Sequence, residues 1–306
     1  MKITAFNLSV FVLLAVQPIM AQFARPNFHE VFPELPFSTE AVGKLNYQLV
    51  TVWHEEYKKS EGDEPGLPWA NQTFMYQRER YLMPGGILER SSVYTPENEK
   101  LSALQYYYIG KNVSAIDIIR FDTLMNEVID NSYNFAYKDT IPYQKVKLFH
   151  HDKSFRLLYD YMFDKENRLI RLNITAHGEP RKVETLEMAE EDMLLVLIAY
   201  SGDSKTKRFY KNMHDLQRSE RTQYNDKGLP INTKIKDGEN LLIAEVIYIY
   251  EDDLLVQENH TKYEDKQPFT DKIVYYRYNP NGLLDKIITE KGELQTISSF
   301  QYFEEY

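Results

Sequence analysis

The sequence contains no cysteine, which excludes disulfide bonds, thiolate metal sites and a cysteine nucleophile. The residue that carries the N-terminal lipid of a bacterial lipoprotein is missing as well, so a lipid-tethered product is disfavoured. Exported proteins often use disulfides, and a cysteine-free exported chain of this size is typical of bacteria. Packing and hydrogen bonds must therefore stabilise the fold.

Motifs that carry chemistry are also scarce. The chain has no glycine-rich phosphate loop and no Gly-x-Ser-x-Gly elbow, and Ser201-Gly202-Asp203-Ser204 predicts an ordinary turn. His54-Glu55-Glu56 lacks the second histidine of a zinc-protease helix. In His150-His151-Asp152 the two imidazoles would point to opposite faces of a strand, so a solvated turn is favoured. We therefore predict no cofactor and no metal site.

Acidic residues are plentiful but do not form a recognisable site. The clusters Glu190-Glu191-Asp192 and Glu251-Asp252-Asp253 lack the alternating carboxylates and fixed glycine of a calcium loop, and they fit solvated turns. The net charge of −10 disfavours binding to nucleic acid and to anionic membranes. Any pair of the 46 acidic residues could be proposed for a glycosidase, and the sequence offers no means of choosing one.

Composition places the chain among globular proteins, with 43% hydrophobic and 27% charged residues in a length of 306. At roughly 150 residues per domain, this length allows one large domain or two small ones. Segment 1–21 has one lysine, an apolar run and a small residue at Ala21, which predicts a secretory signal peptide. The run from Ala5 to Val16 is shorter than the roughly 20 residues of a membrane span, so an anchor is the poorer fit.

The segment after the signal is proline-rich, and 22–37 is predicted to be an extended arm. Next, the three- and four-residue spacing of Val42, Leu45, Leu49 and Val52 favours one short amphipathic helix within 38–58, with a strand from Gln48 to Trp53 as the rival interpretation. A loop rich in glycine and proline follows. The region 38–73 is thus expected to be a helix and a loop within a single domain that spans 38–306.

From about residue 74 onward, short runs rich in aromatic and β-branched residues alternate with clusters of Gly, Asn and Asp, which is typical of strands and turns. Tyrosine followed by a polar insert and then leucine recurs, and Tyr224, Tyr250 and Tyr278 are spaced 26 and 28 residues apart. This spacing indicates an internal repeat with two strands in each unit. The turn segments are Tyr108-IGKN-Val113, Phe163-DKENR-Leu169, Tyr224-NDKG-Leu229, Tyr250-EDD-Leu254 and Tyr278-NPNG-Leu283, with Met188-AEED-Met193 as a degenerate copy.

The pattern resembles the tyrosine-aspartate repeats of bacterial Rhs-type and wall-associated surface proteins, in which an aromatic-x-Tyr-Asp-x-x-Gly-x-Leu unit forms successive hairpins. The nearest copies here run from Tyr276 to Leu284 and from Tyr224 to Leu229, with Tyr-Asn in place of Tyr-Asp. The resemblance implies an antiparallel meander and brings no catalytic residue.

Tyrosine is the unusual component, with 24 residues in the chain. A buried ring with a reachable hydroxyl suits either a half-solvated sheet face or a surface that stacks flat ligands such as sugars. The candidate binding residues are Tyr159, Tyr161, Tyr248, Tyr276 and Tyr278.

The sequence therefore predicts a mainly β protein, an antiparallel β-meander of repeated hairpins that forms a curled open sheet, a barrel or a layered sheet with one short N-terminal helix. An outer-membrane barrel is disfavoured because charged residues such as Arg277, Asp285 and Lys286 occupy both faces of the last strands.

We expect an exported, periplasmic or secreted envelope protein that binds a partner protein or glycan without catalysis, through an exposed sheet face or a sheet edge. The alternatives are an exported hydrolase of polysaccharide or peptidoglycan that uses a carboxylate pair, and a carrier of an apolar ligand.

Overall fold

The fold is described from a computed structural model, in which residues 47–58, 75–82, 87–110, 112–179, 195–211 and 213–304 are placed. The predicted signal peptide and N-terminal arm, and the degenerate repeat at Met188, lie outside these residues. Within these ranges no helix is long and apolar enough to cross a bilayer.

Eighteen strands make up the described part of the chain. The first nine are β1 Leu49–Lys58, β2 Met75–Leu82, β3 Ile87–Tyr94, β4 Lys100–Ile109, β5 Asn112–Phe121, β6 Glu127–Lys138, β7 Ile141–Phe149, β8 Arg156–Phe163 and β9 Leu169–His177. The second nine are β10 Leu195–Ser201, β11 Ser204–Tyr210, β12 Leu216–Tyr224, β13 Pro230–Asp237, β14 Leu242–Glu251, β15 Leu254–Glu264, β16 Gln267–Tyr278, β17 Leu284–Lys291 and β18 Leu294–Phe303.

Each strand pairs antiparallel with the strand that follows it in the chain, so the predicted meander is confirmed. In addition, β1 pairs along its whole length with β18, from Leu49 opposite Phe303 to Lys58 opposite Leu294. The hydrogen-bonded ladder thus runs in a ring through all eighteen strands.

The helix prediction for 38–58 is wrong where it can be examined, because Leu49–Lys58 forms strand β1. Half of the residues of this segment are β-branched or aromatic, and Val50 and Val52 are buried at a spacing of two. The same stretch therefore contains apolar residues at the three- and four-residue spacing of a helix and at the two-residue spacing of a strand. Pairing with both β2 and β18 then fixes the extended backbone.

Six of the hairpins contain one and the same turn. The backbone carbonyl of its first residue accepts a hydrogen bond from the backbone N–H three positions later. The backbone N–H of the same residue donates to the carbonyl four positions later. The fourth residue has a positive φ, which Gly and Asn adopt with little strain. In five of the six turns an Asp or Asn side chain at the first position accepts further backbone N–H groups. The first residues are Thr95, Asp122, Asp164, Asn225, Asp237 and Asn279.

These turns explain why the sequence repeats, and they correct one detail. The sequence pattern suggests that the tyrosine and leucine that flank each turn face each other across the strands, but Tyr278 lies opposite Leu284 and Tyr224 opposite Pro230, one residue beyond Leu283 and Leu229. The turns occupy five residues, 225–229 and 279–283, and the register shifts by one residue where each first strand ends. The displaced Leu229 and Leu283 side chains are buried.

Five tyrosine hydroxyls bind backbone carbonyl groups of the neighbouring strand. Each of these tyrosines lies near the end of an even-numbered strand and donates its hydroxyl to the first or second carbonyl of the preceding strand, at O···O distances of 2.7 to 3.2 Å. These carbonyls belong to residues at β-bulges. The tyrosines therefore bind backbone groups at positions where the ladder is irregular. The donors are Tyr108, Tyr137, Tyr200, Tyr278 and Tyr302.

One face of the sheet, which we call the core face, carries the hydrophobic core. Val52 on β1, Tyr106 on β4, Phe135 on β6, Leu157 on β8 and Ile198 on β10 all belong to this core cluster. The cluster draws on β1 and the strands from β3 to β10. The opposite surface, the outer face, carries Arg, Lys, Asp and Glu side chains in numbers typical of a solvated surface.

Candidate functional site

All five tyrosines predicted to bind a ligand lie on the core face, but in two separate regions. Tyr159 and Tyr161 on β8 are only 6% exposed and belong to the hydrophobic core. Their rings pack inside the protein and do not offer a stacking surface. Tyr248, Tyr276 and Tyr278 are half-buried on β14 and β16.

Tyr278 is one of the tyrosines that bind a backbone carbonyl of the neighbouring strand, because its hydroxyl donates to the Leu255 carbonyl at 2.9 Å. Burial, followed by the nearby Glu258 charge, raises the pKa of Tyr278 to about 12. This residue therefore has a structural role, and Tyr248 and Tyr276 remain as candidates.

Tyr248 and Tyr276 belong to a polar belt, which we define as Thr222, Thr233, Tyr248, Glu258, His260 and Tyr276. These side chains lie on the core face of five successive strands, β12 to β16. The Thr222 and Thr233 hydroxyls are 2.9 Å apart, and the Thr233 hydroxyl is 3.3 Å from that of Tyr248.

Glu258 on β15 is the charged centre of the belt. Its Oε1 accepts from the Tyr276 hydroxyl at 2.9 Å, and its Oε2 lies 2.8 Å from His260 Nε2. The side chains of Glu258 and His260 are 17% and 21% exposed. A carboxylate has about four lone-pair positions, so Glu258 retains acceptor capacity for another group.

The surroundings of Glu258 keep its neighbouring phenols protonated. Burial and then the Glu258 charge raise the pKa of Tyr276 far above its ordinary value. Burial is also the main cause of the raised pKa of Tyr248, to which Glu258 and Glu220 contribute. Burial likewise raises the pKa of Tyr250, and its buried hydroxyl oxygen has no hydrogen-bond partner in the described part of the chain. The site thus combines one carboxylate with several neutral phenols.

A second polar contact on the core face joins β1 to β18, where His54 Nδ1 lies 2.9 Å from the Ser298 hydroxyl. Burial lowers the pKa of His54. A basic group whose pKa is lower in the folded state than in the unfolded state makes the fold less stable as the pH falls. For histidine this loss begins at about pH 6.5, the pKa in the unfolded chain.

We therefore expect that replacing His54 by glutamine makes stability less sensitive to acid. Between about pH 8 and about pH 5.5, the urea midpoint of the wild type should fall further than that of His54→Gln. The exposed His177 provides the matched control, His177→Gln, which should behave as the wild type does. Equal acid sensitivity in His54→Gln and wild type would contradict this prediction.

On the outer face, a serine, a histidine and an aspartate meet without forming a catalytic triad. The Ser132 hydroxyl donates to Asp117 Oδ1 at 2.5 Å and lies 2.7 Å from His150 Nε2. In a triad the histidine lies between serine and carboxylate, whereas here the serine occupies the middle. In this arrangement the carboxylate contacts the serine and does not orient the histidine as a base. His150 and His151 lie in the β7–β8 connection, as predicted.

Sequence reasoning missed Glu258, His260, Thr222 and Thr233. One signal was available, since Glu258 and His260 are two apart on a strand pattern and must share a face. Within the described residues, no group of three or more His, Asp or Glu side chains is placed to hold a metal ion.

No protein-family model matches the chain, and no curated protein matches it in sequence. Among solved structures, a porin-like protein from Bacteroides uniformis is similar with a TM-score of 0.43 at 10% identity, over 84% of this chain and 96% of that one. A porin-like protein from Bacteroides vulgatus has a TM-score of 0.30 at 8% identity, over 66% and 94%.

The Tc holotoxin pore of Photorhabdus luminescens has a TM-score of 0.32 at 10% identity, over 70% of this chain and 12% of that one. At such identities and TM-scores, these likenesses carry no argument about function. The resemblance to tyrosine-aspartate repeat proteins accordingly remains a prediction from the sequence.

Proposed function

We propose that the protein is a non-enzymatic binding module that holds a glycan against the polar belt on the core face of β12 to β16. The supporting observation is the half-buried Glu258, hydrogen-bonded to Tyr276 and His260 and flanked by Tyr248. Sugars present hydroxyl groups around an apolar ring face. A carboxylate, several hydroxyls and tyrosine rings on one surface match that chemistry.

The carboxyl groups of the described part favour binding over hydrolysis. A glycosidase needs a carboxylic acid whose pKa is raised so that it can protonate the leaving group. The carboxyl groups whose pKa is clearly displaced here are all lowered, mainly because they accept hydrogen bonds from neighbouring amide, backbone or ammonium groups. They are Asp122, Asp164, Glu245 and Asp271.

The belt also favours a polar ligand over an apolar one. An apolar molecule placed against Glu258 and its partners would leave polar groups buried without new hydrogen bonds, which costs free energy. Strand addition at an edge receives no support, since every strand from β1 to β18 has two paired neighbours among the described strands. We therefore propose that the protein recognises its ligand through a face of the sheet. Its first 21 residues predict that the protein is exported.

The test is direct binding of soluble glycans by calorimetry, with chito-oligosaccharides, cello-oligosaccharides, mannan and muropeptides as probes. Replacing Tyr276→Phe removes a hydroxyl bonded to the Glu258 carboxylate and should weaken binding of the best probe about tenfold. The control Tyr107→Phe removes a hydroxyl on the outer face, bonded to Asp117, and should bind as the wild type does. Failure of every probe to bind, or equal affinity in Tyr276→Phe and wild type, would overturn the proposal.

A further inference from the structure

The core face contains two copies of one arrangement, in which two tyrosine rings flank a charged residue on the strand between them. In the first copy, Lys145 on β7 lies directly opposite Tyr159 on β8 and diagonally to Tyr133 on β6. The Lys145 Nζ lies 4.4 Å from the Tyr159 ring centroid and 4.6 Å from that of Tyr133. An ammonium group is thus held between two aromatic faces, in a side chain only 5% exposed.

In the second copy, the central charge has the opposite sign. Glu258 on β15 lies directly opposite Tyr248 on β14 and diagonally to Tyr276 on β16. The three strands again run even, odd, even, but the directly opposite tyrosine now lies on the preceding strand and the diagonal one on the following strand. Where the first copy supplies its own ammonium group, the second presents a carboxylate.

A carboxylate between tyrosine rings is a favourable site for a positive charge. The faces of aromatic rings carry negative electrostatic potential and attract cations, and the carboxylate adds a full negative charge. The buried Tyr250 hydroxyl, within electrostatic range of Tyr248 and Glu258, offers a further acceptor for an N–H group. The net charge of −10 also raises the local concentration of cations around the protein.

We propose that the ligand of the polar belt carries a free ammonium group, as in a glycan with unacetylated amino sugars, and that Glu258 binds this group between Tyr248 and Tyr276. This inference rests on the proposed glycan-binding function and specifies its ligand class. Lys145 shows that an ammonium group of the chain itself is held between two tyrosine rings of this sheet.

The experiment compares two probes that differ only at nitrogen, chitotetraose with all amines acetylated and the same tetrasaccharide with all amines free. Calorimetry of the full chain should give an affinity at least about tenfold higher for the free amine. The variant Glu258→Gln keeps the shape of the side chain and should lose this preference while it still binds the acetylated probe. The control Glu245→Gln, on the outer face of β14, should keep the preference.

A third variant tests the parallel with the first copy. Glu258→Lys places an ammonium group where Lys145 has one, and it should abolish binding of the free amine while circular dichroism shows an intact sheet. Equal affinity of the wild type for the two probes, or a preference that survives in Glu258→Gln, would overturn the ammonium site and leave the proposed function standing. Binding of neither probe, together with failure of the wider panel, would overturn both.

Discussion

Replacing Gly178 by alanine is expected to lower the free energy of unfolding by about 3 kcal/mol or more. Gly178 follows β9 with a φ of +89°, a conformation that L-residues rarely adopt. A Cβ built at this position would overlap the backbone carbonyl oxygen of Ser154, in the connection between β7 and β8. Because the obstacle is backbone, the chain must shift, and the β8–β9 hairpin would be displaced.

Gly282→Ala is the matched control for this prediction. Gly282 has a similar φ of +82°, but a Cβ there would have no heavy atom within 4 Å. Only the backbone strain of the left-handed conformation remains, which costs about 1 kcal/mol. Urea unfolding followed by circular dichroism measures both variants. Equal losses of stability in the two would show that the close approach to Ser154 does not matter.

Phe149→Ala is expected to destabilise the protein by about 3 to 5 kcal/mol, because it removes a large side chain from the core and leaves a cavity. Phe149 is 1% exposed, and its ring centroid lies 5.6 Å from that of Phe155 and 5.9 Å from that of His151. The Lys147 Nζ lies 5.1 Å from the same ring. The loss of stability should appear as a lower urea midpoint with an unchanged slope.

Phe303→Ala provides the same chemical change in a different environment. Phe303 lies at the end of β18 on the outer face and is 42% exposed, so its removal should cost less than about 1 kcal/mol. If both phenylalanine variants lost similar stability, the assignment of the core to one face of the sheet would be wrong. Neither residue belongs to the polar belt, so glycan binding should survive in every variant that remains folded.

The hairpins could be predicted from the sequence because their determinants are local. Asn279 to Leu283 contains an Asn that accepts backbone N–H groups and a Gly that adopts a positive φ, and both effects act within five residues. The same holds for Asn225 to Leu229. Where the local signal was ambiguous, the prediction failed, because β1 has apolar residues at spacings that fit either a helix or a strand. Its partners β2 and β18 are far away in the sequence and decide the outcome.

The roles of the tyrosines could not be predicted, because identical residues in the repeat have different neighbours. Tyr161 is buried in the core, Tyr278 donates to a backbone carbonyl, and Tyr276 donates to Glu258. These differences arise from contacts between strands whose residues are 18 or more positions apart. The period of the sequence shows that tyrosines share a face, and it contains no information about which of them meets a carboxylate.

The sequence by itself determined the antiparallel meander, the position of its turns and the absence of any disulfide, since each depends on residue type and on neighbours a few positions away. Only the tertiary structure decided that β1 joins β18, that the core gathers on one face, and that Glu258 lies between Tyr248 and Tyr276. These features depend on strand register and on pairing between distant segments. Many local patterns are compatible with several such pairings, and only the packing of the whole chain selects one.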